Sequence, residues 1–310
     1  MTDSSTKLRA PKQRVLITGG TGLVGSRLSE LLTRNDYEVA HLSRNPTKGT
    51  IKSFHWDIKK GEIDKEAIKN TDAIIHLAGA GVADKRWTDK WKKEIRDSRI
   101  DSVNLLFEAV KNHNSRLEQF ISASAIGYYG WDTGEQLINE EHEKGEGFLA
   151  NVVDEWEEAV AKFDQIGVPN SKVRIGVVLS TEGAALVEML KPIKMRFGAA
   201  MGSGKQYMSW IHIDDLCRIF LHLLENKKEG IYNGVAPEPV TNKDFTRKLA
   251  KAVSKPLFLP NVPSFILKLL VGEMQVMLTG GNKVSSKKIE DTGFNFQYPS
   301  LDSALKELLA

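Results

Sequence analysis

From Arg14 onward, short apolar and β-branched runs alternate with stretches of helical periodicity. Val15–Thr18, Glu38–Ser43, Ser53–Asp57, Asp72–Leu77, Gln119–Ala123 and Lys172–Leu179 read as six successive strands. The run Asp72–Leu77 is almost wholly apolar, as a strand covered on both faces requires. Between the strands, Gly25–Arg34 places Leu28, Leu31 and Leu32 on one helical face, and longer helices are expected over Asp89–Asn112 and Asn151–Phe163. Strand and helix in alternation predict an α/β fold, a doubly wound parallel sheet with helices on both sides. After Ser180 the pattern changes. Gly183–Gln206 is glycine-punctuated and reads as irregular or partly helical. Trp210–Ile213 and Ile231–Gly234 read as short strands flanking a helix over Asp214–Glu225. Two helical stretches follow Pro237, then a connector with Pro256, Pro260 and Pro263, and an amphipathic helix after Pro299. The expected organisation is a nucleotide-binding domain over 1–180, with 1–12 as a flexible leader and 210–235 returning to it. A smaller, mostly helical lobe over 181–310 would cover the crevice at the carboxyl ends of the strands.

The first strand runs directly into Thr18-Gly19-Gly20-Thr21-Gly22-Leu23-Val24-Gly25. Glycines here allow a tight turn, a close approach of backbone to a pyrophosphate, and packing of the helix onto the strand. The helix start adds free N–H donors and a partial positive charge. With a strand before it and an amphipathic helix after it, this loop is a dinucleotide site of Rossmann type, and Gly19, Gly22, Leu23, Val24 and Gly25 are its expected contacts. The second strand ends in Leu42-Ser43-Arg44-Asn45, with no acid to accept from a ribose 2′-hydroxyl. A guanidinium beside a hydroxyl suits a phosphate monoester, so Ser43 and Arg44 favour NADP over NAD.

Composition narrows the alternatives. A formal charge of +3 spread over 310 residues gives no electrostatic case for nucleic acid. The lone cysteine, Cys217, excludes an internal disulfide and reads as a packed helical residue. The seven histidines show no ligand spacing, so no metal is expected. The polar residues 1–12 lack the apolar core of a signal peptide, and the strongest apolar run, Phe265–Val271, carries Lys268 and is too short to span a bilayer. A cytoplasmic protein with a small-molecule substrate and no membrane partner is the expectation.

Taken together, Ile17-Thr18-Gly19-Gly20-Thr21-Gly22, Leu42-Ser43-Arg44, His76-Leu77-Ala78-Gly79, Arg86-Trp87-Thr88, Arg174-Ile175-Gly176-Val177-Val178-Leu179, Ser209-Trp210-Ile211-His212-Ile213-Asp214-Asp215 and Gly272-Glu273-Met274 resemble the extended short-chain dehydrogenases/reductases. The likeness is to their atypical, epimerase-like (YfcH-type) subgroup and covers Arg14 to the end. It implies further NADP contacts at Leu77, Ala78, Glu94, Arg99 and Val178. Ala78 would leave room under the adenosine ribose, and Arg99 would either meet a phosphate or pair with Glu94. It also implies a possible homodimer through the helices Asp89–Asn112 and Asn151–Phe163.

Standard members transfer a proton with Tyr-x-x-x-Lys and polarise a carbonyl with Ser or Thr. In Phe148-Leu149-Ala150-Asn151-Val152 the Tyr and Lys places hold Phe148 and Val152, which cannot move a proton. The serine is matched by Ser124, and Tyr128 is the first candidate for a replacement acid, ahead of Tyr129, Glu140, Glu141, His212, Arg86 and Trp87. Two readings stand at this point. One is an NADP-dependent epimerase or reductase of a small carbonyl or nucleotide-sugar-like compound; the other is an NADP(H)-sensing binding protein with little catalysis.

Overall fold

The computed structural model describes residues 12–114 and 116–310, so the leader expected over 1–12 falls, save Lys12, outside them. Strands β1 (Arg14–Thr18), β2 (Glu38–Ser43), β3 (Lys52–Asp57), β4 (Glu62–Ile63), β5 (Ala73–His76) and β6 (Gln119–Ala125) are interleaved with helices α1 (Leu23–Arg34), α2 (Lys65–Lys69) and α3 (Asp89–His113). Then come β7 (Leu137–Ile138), α4 (Phe148–Ala161), β8 (Asn170–Ile175), β9 (Val177–Leu179), α5 (Ala184–Lys194), β10 (Tyr207–Met208), β11 (Trp210–His212), α6 (Ile213–Glu225) and β12 (Gly230–Gly234). The chain closes with β13 (Val240–Thr241), α7 (Asn242–Ala252), α8 (Ser264–Val271), α9 (Val276–Thr279), β14 (Lys283–Val284), α10 (Lys287–Glu290) and α11 (Leu301–Leu308).

Eight strands form one sheet in the order β12-β8-β6-β5-β1-β2-β3-β4. All neighbours are parallel except the two-residue edge strand β4, which runs antiparallel to β3. The strand order reverses between β1 and β5, so the crevice expected to hold a ligand opens beyond their carboxyl ends. Helices α1 and α6 pack together, as do α3 and α4. Their apolar faces and the central strands form the main core, which includes Leu16, Ile75, Val103, Phe120 and Phe220. Cys217 on α6 is buried there, and burial pushes its thiol pKa up. A second core joins Leu186 and Leu190 of α5, Phe245 and Leu249 of α7, and Leu301 and Leu305 of α11 around Trp210.

Two expectations about element boundaries are corrected. Helices α1 and α4 begin earlier than the apolar periodicity indicates, at Leu23 and Phe148, because the extended Gly22 and the positive-φ Gly147 (φ +110°) deliver the chain into them. The single strand expected over Lys172–Leu179 is two. β8 pairs with β6 and β12, whereas β9 leaves the large sheet and pairs with β11. The switch occurs at Gly176. Its N–H is bonded to Gly234 O (3.1 Å) and the next N–H to Ser209 O (2.9 Å). A Cβ at Gly176 would lie 2.4 Å from Ser209 O, so only glycine admits this change of partner. Among the described residues no helix is long and apolar enough to cross a membrane.

Because the obstacle at Gly176 is backbone and cannot rotate away, Gly176→Ala should lower the melting temperature by on the order of 5 °C, read by calorimetry.

Candidate functional site

At the carboxyl end of β1, Thr18 ties the two halves of the sheet together. Its Oγ1 accepts the N–H groups of Leu77 (3.1 Å) and Ala78 (3.2 Å) and lies 2.7 Å from His76 Nδ1. With both hydroxyl lone pairs taken, Thr18 donates its proton to Nδ1. His76 is therefore the Nε2–H tautomer and donates to Ser102 Oγ (3.1 Å), which donates to Arg99 O (2.8 Å). Burial, with Arg99 nearby, pushes the His76 pKa down to about 3.

Immediately after Thr18, Gly19 (φ +68°) turns the chain, and the N–H of Gly22 closes the turn onto Gly19 O at 3.0 Å. Gly25 sits so close under this turn that a Cβ would stand 2.2 Å from Gly19 O. The helix starts without a side-chain cap and without an acid in its first turn. The N–H groups of Leu23, Val24 and Gly25 have no backbone acceptor among the described residues, which leaves a donor cradle facing the crevice.

The other residues expected from the sequence lie as follows. Ser43 ends β2, and its Oγ accepts the Asn45 N–H (3.2 Å). Arg44 is exposed and in no ion pair among the described residues. Leu77 and Ala78 follow β5 half-buried, and Val178 lies half-buried on β9 against Ile211. Arg99 Nη1 holds the carbonyls of Ala80 (3.0 Å) and Ile95 (2.8 Å), and the guanidinium stands 5.3 Å from the Trp156 ring centre. Burial lowers its pKa to about 10, so it stays cationic at neutral pH. Its Nε and Nη2 make no hydrogen bond among the described residues. The alternative pairing of Arg99 with Glu94 is not formed: Glu94 points outward to Lys59 (3.0 Å). Five residues along a helix set the two side chains on diverging faces.

Ser124 is 3% exposed near the end of β6 and donates to Glu157 Oε1 at 2.5 Å. Glu157, on α4, is gripped by Arg174 of β8 through Nε (2.8 Å) and Nη2 (2.7 Å) in a bidentate buried pair. Arg174 Nη1 also donates to the Tyr129 hydroxyl (3.1 Å), which donates to Asn233 Oδ1 (2.7 Å). Burial, against the pull of Arg174, pushes the Tyr129 phenol up to about 12, so it keeps its proton. Tyr128 is half-buried. Its ring lies flat over the guanidinium at 3.5 Å, and its hydroxyl has no hydrogen bond among the described residues. Because Ser124 gives its proton to a carboxylate, the free side of its oxygen can only accept. Sequence reasoning missed Glu157 and Arg174; the signal was a charged residue inside the buried run Val173-Arg174-Ile175.

Phe148 and Val152 stand in an apolar cluster. Phe148 meets Trp87 edge-on at 5.3 Å, and Val152 packs with Trp87 and Ile95, with Met274 and Val276 packed against them. Trp87 Nε1 is satisfied by Val82 O (2.9 Å). Arg86 Nη2 donates to the carbonyls of Leu269 (3.2 Å) and Leu270 (2.6 Å), and Lys92 pairs with Glu273, so both tie α8 and its extension to α3 and the preceding loop. His212 has both ring nitrogens engaged. Nδ1 accepts from Asp214 N–H as the cap of α6, and Nε2 meets Glu307 at 2.8 Å. Glu140 accepts the Asn233 N–H (2.7 Å), and Glu141 is exposed. Among the described residues no group of three or more His, Cys, Asp or Glu side chains is arranged to hold a metal.

Residues 15–150 match the model of the NAD-dependent epimerase/dehydratase family, and 262–308 match a domain of unknown function, DUF1731. The chain is 34% identical over 305 residues to the human epimerase family protein SDR39U1, covering 96% of this chain and all of that protein. The chain belongs to this epimerase family. A Staphylococcus aureus family member, SAR0825, is 35% identical over 96% of this chain and 99% of its own length. The crystal structure of human SDR39U1 (isoform 2) with NADPH superimposes with a TM-score of 0.86 at 33% identity, covering 96% of this chain and 99% of that one. A nucleoside-diphosphate sugar epimerase from Corynebacterium glutamicum gives 0.77 at 32% identity, over 96% of this chain and 58% of that one. The Rossmann-type fold and the family read from the sequence are therefore both shown.

Two outcomes follow for the buried groups. Removing one partner of the Arg174–Glu157 pair strands the other charge, so Glu157→Leu should cost about 3–5 kcal/mol in denaturant unfolding. Glu157→Leu with Arg174→Met should cost less than the two single substitutions summed. His76 has its folded pKa below its unfolded value. Between about 6.5 and about 3 the unfolded chain therefore binds the extra proton, and stability falls as pH drops through that window. His76→Gln should flatten this acid limb of the stability profile by up to about 1.4 kcal/mol per pH unit.

Proposed function

We propose that this epimerase family chain binds NADP(H) in the crevice beyond β1 and β5 and transfers hydride between it and a small carbonyl or nucleotide-sugar-like compound. The cradle supports this reading most directly: uncapped N–H groups at Leu23, Val24 and Gly25, with two guanidiniums, Arg44 and Arg99, that have no ionic partner among the described residues. Gly19, Gly22 and Gly25 let the pyrophosphate approach the helix start. Ser43 and Arg44 hold the 2′-phosphate that marks NADP. Leu77 and Ala78 floor the adenosine side, and Arg99 meets a phosphate. Glu94, at the surface of α3, is assigned through the family resemblance alone, and Val178 lines the nicotinamide side. The NADPH in the human relative's crystal structure points the same way.

When bound, the cofactor supplies the hydride. The chain must orient the substrate and handle the accompanying proton. Ser124, with its proton held by Glu157, accepts from a substrate hydroxyl, so the alcohol form is bound without breaking the buried network. Tyr128, whose ring lies over the Arg174 cation and whose hydroxyl has no hydrogen bond among the described residues, is the proposed proton carrier in place of the missing tyrosine. One observation favours a second reading, an NADP(H)-responsive binding protein: Phe148 and Val152 make the usual proton-transfer place dry and apolar.

Calorimetry should show NADPH binding more tightly than NADH, and Arg44→Glu should erase about a hundredfold of that preference. An unchanged preference in Arg44→Glu would remove the role given to Arg44. Deuteride transfer from labelled NADPH to a carbonyl panel separates the two readings. Transfer that collapses in Ser124→Ala and Tyr128→Phe supports the enzyme. Tight NADPH binding with no transfer across the panel supports the binding protein.

A further inference from the structure

The second lobe carries an exposed apolar face that the crevice does not use. Helix α8 buries only Leu267, while Phe265, Leu269 and Leu270 are 72%, 78% and 62% exposed. The neighbouring segments add Phe197 and Phe258, 68% and 66% exposed. These segments run side by side: Val262 N–H donates to Ala200 O (2.8 Å), Gly202 N–H donates to Val262 O (2.9 Å), and Leu257 lies against Gly198.

Two stretches here, each bounded by acids, carry only cations. Residues 189–213 contain Lys191, Lys194, Arg196 and Lys205 and no acid. Residues 245–272 contain Arg247, Lys248, Lys251, Lys255 and Lys268 and no acid. Some of these cations are paired with acids outside the two stretches, as Lys191 is with Glu188, Arg247 with Asp244, and Lys248 with Glu238 and Asp302. Lys194, Arg196, Lys205, Lys251, Lys255 and Lys268 are in no ion pair among the described residues. The small net charge of the whole chain hides this local excess.

We propose that this face seats the protein on an anionic phospholipid surface, with α8 lying in the headgroup region. Protruding aromatic and aliphatic side chains beside unpaired lysines are what an interfacial helix presents: the apolar groups enter the acyl boundary and the long cationic stems reach up to the phosphates. Anionic lipid adds attraction for each nearby cation. A second copy of the chain would bring like charges together across the contact. A protein partner of ordinary kind would need pockets for five side chains that stand out from the surface rather than line a groove.

The test is sedimentation of the whole protein with vesicles of phosphatidylcholine alone and of phosphatidylcholine with phosphatidylserine. Binding is expected to the second and not the first, with release at high salt. Phe265→Asp combined with Leu269→Asp should lower the bound fraction about tenfold while NADPH affinity stays unchanged, which shows the variant is folded. No binding to phosphatidylserine vesicles, or equal binding by the variant, overturns the proposal. So does a solution dimer in sedimentation velocity that the double substitution dissociates, which would give the face to a second copy. Salt-sensitive binding of polyglutamate, without vesicle binding, would give it to an acidic protein instead.

Discussion

The hydroxyl of Thr18 occupies the one point in the sheet where the strand order reverses, and all three of its hydrogen-bonding capacities are used there. Two hold the chain leaving β5, and the third fixes the ring of His76 in a single tautomer. The backbone at Leu77 and Ala78 therefore cannot move independently of the glycine turn that begins one residue after Thr18. The chain of donors continues through Ser102 to the carbonyl of Arg99, so the helix that carries the unpaired guanidinium is set by the same hydroxyl. A phosphate-binding crevice needs its donors held before the ligand arrives, because ordering them on binding would cost affinity. A buried neutral histidine between two hydroxyls achieves that without placing a second charge beside Arg99.

The other buried network acts in the opposite sense. Arg174 and Glu157 cancel each other's charge, and what remains is a carboxylate oxygen that takes the Ser124 proton and a guanidinium face that supports the Tyr128 ring. A serine whose proton is already committed is oriented but not acidic. Its oxygen is left to accept, because its hydrogen is engaged in a charge-assisted bond of 2.5 Å. On α4 the buried polar group is thus Glu157, while Phe148 and Val152 on the same helix stand in an apolar cluster.

Much of this was legible in the sequence, because the relevant signals are local. The glycine turn lies within eight residues between a strand and a helix, and Ser43-Arg44 sits at a strand end that the pattern itself marks. What was not legible depends on pairs far apart in the chain. Arg174 and Glu157 declare themselves as a pair only once α4 lies across β6 and β8. The split of one apolar run into β8 and β9 is invisible to periodicity, since Val177-Val178-Leu179 suits a strand in either sheet; the bend is dictated by the Ser209 carbonyl standing where a Cβ would go. Glu94 and Arg99 fit a pair by charge, but the helix turns them apart, and Lys59 in the turn after β3 claims Glu94. Exposure is equally hidden. Phe265–Val271 reads as a short apolar run, and nothing in its order says that Leu267 alone would be covered.

That run matters to the crevice through its carboxyl end. Arg86, from the loop after β5, holds the Leu269 and Leu270 carbonyls, Lys92 of α3 holds Glu273, and the next residues, Met274 and Val276, pack on the aromatic cluster around Trp87. The outward face of α8 and the cover over Phe148 are consecutive parts of one segment, fastened at its middle by two cations, Arg86 and Lys92. The outer face and the cover are therefore anchored to α3 and the loop before it by the same two side chains, Arg86 and Lys92.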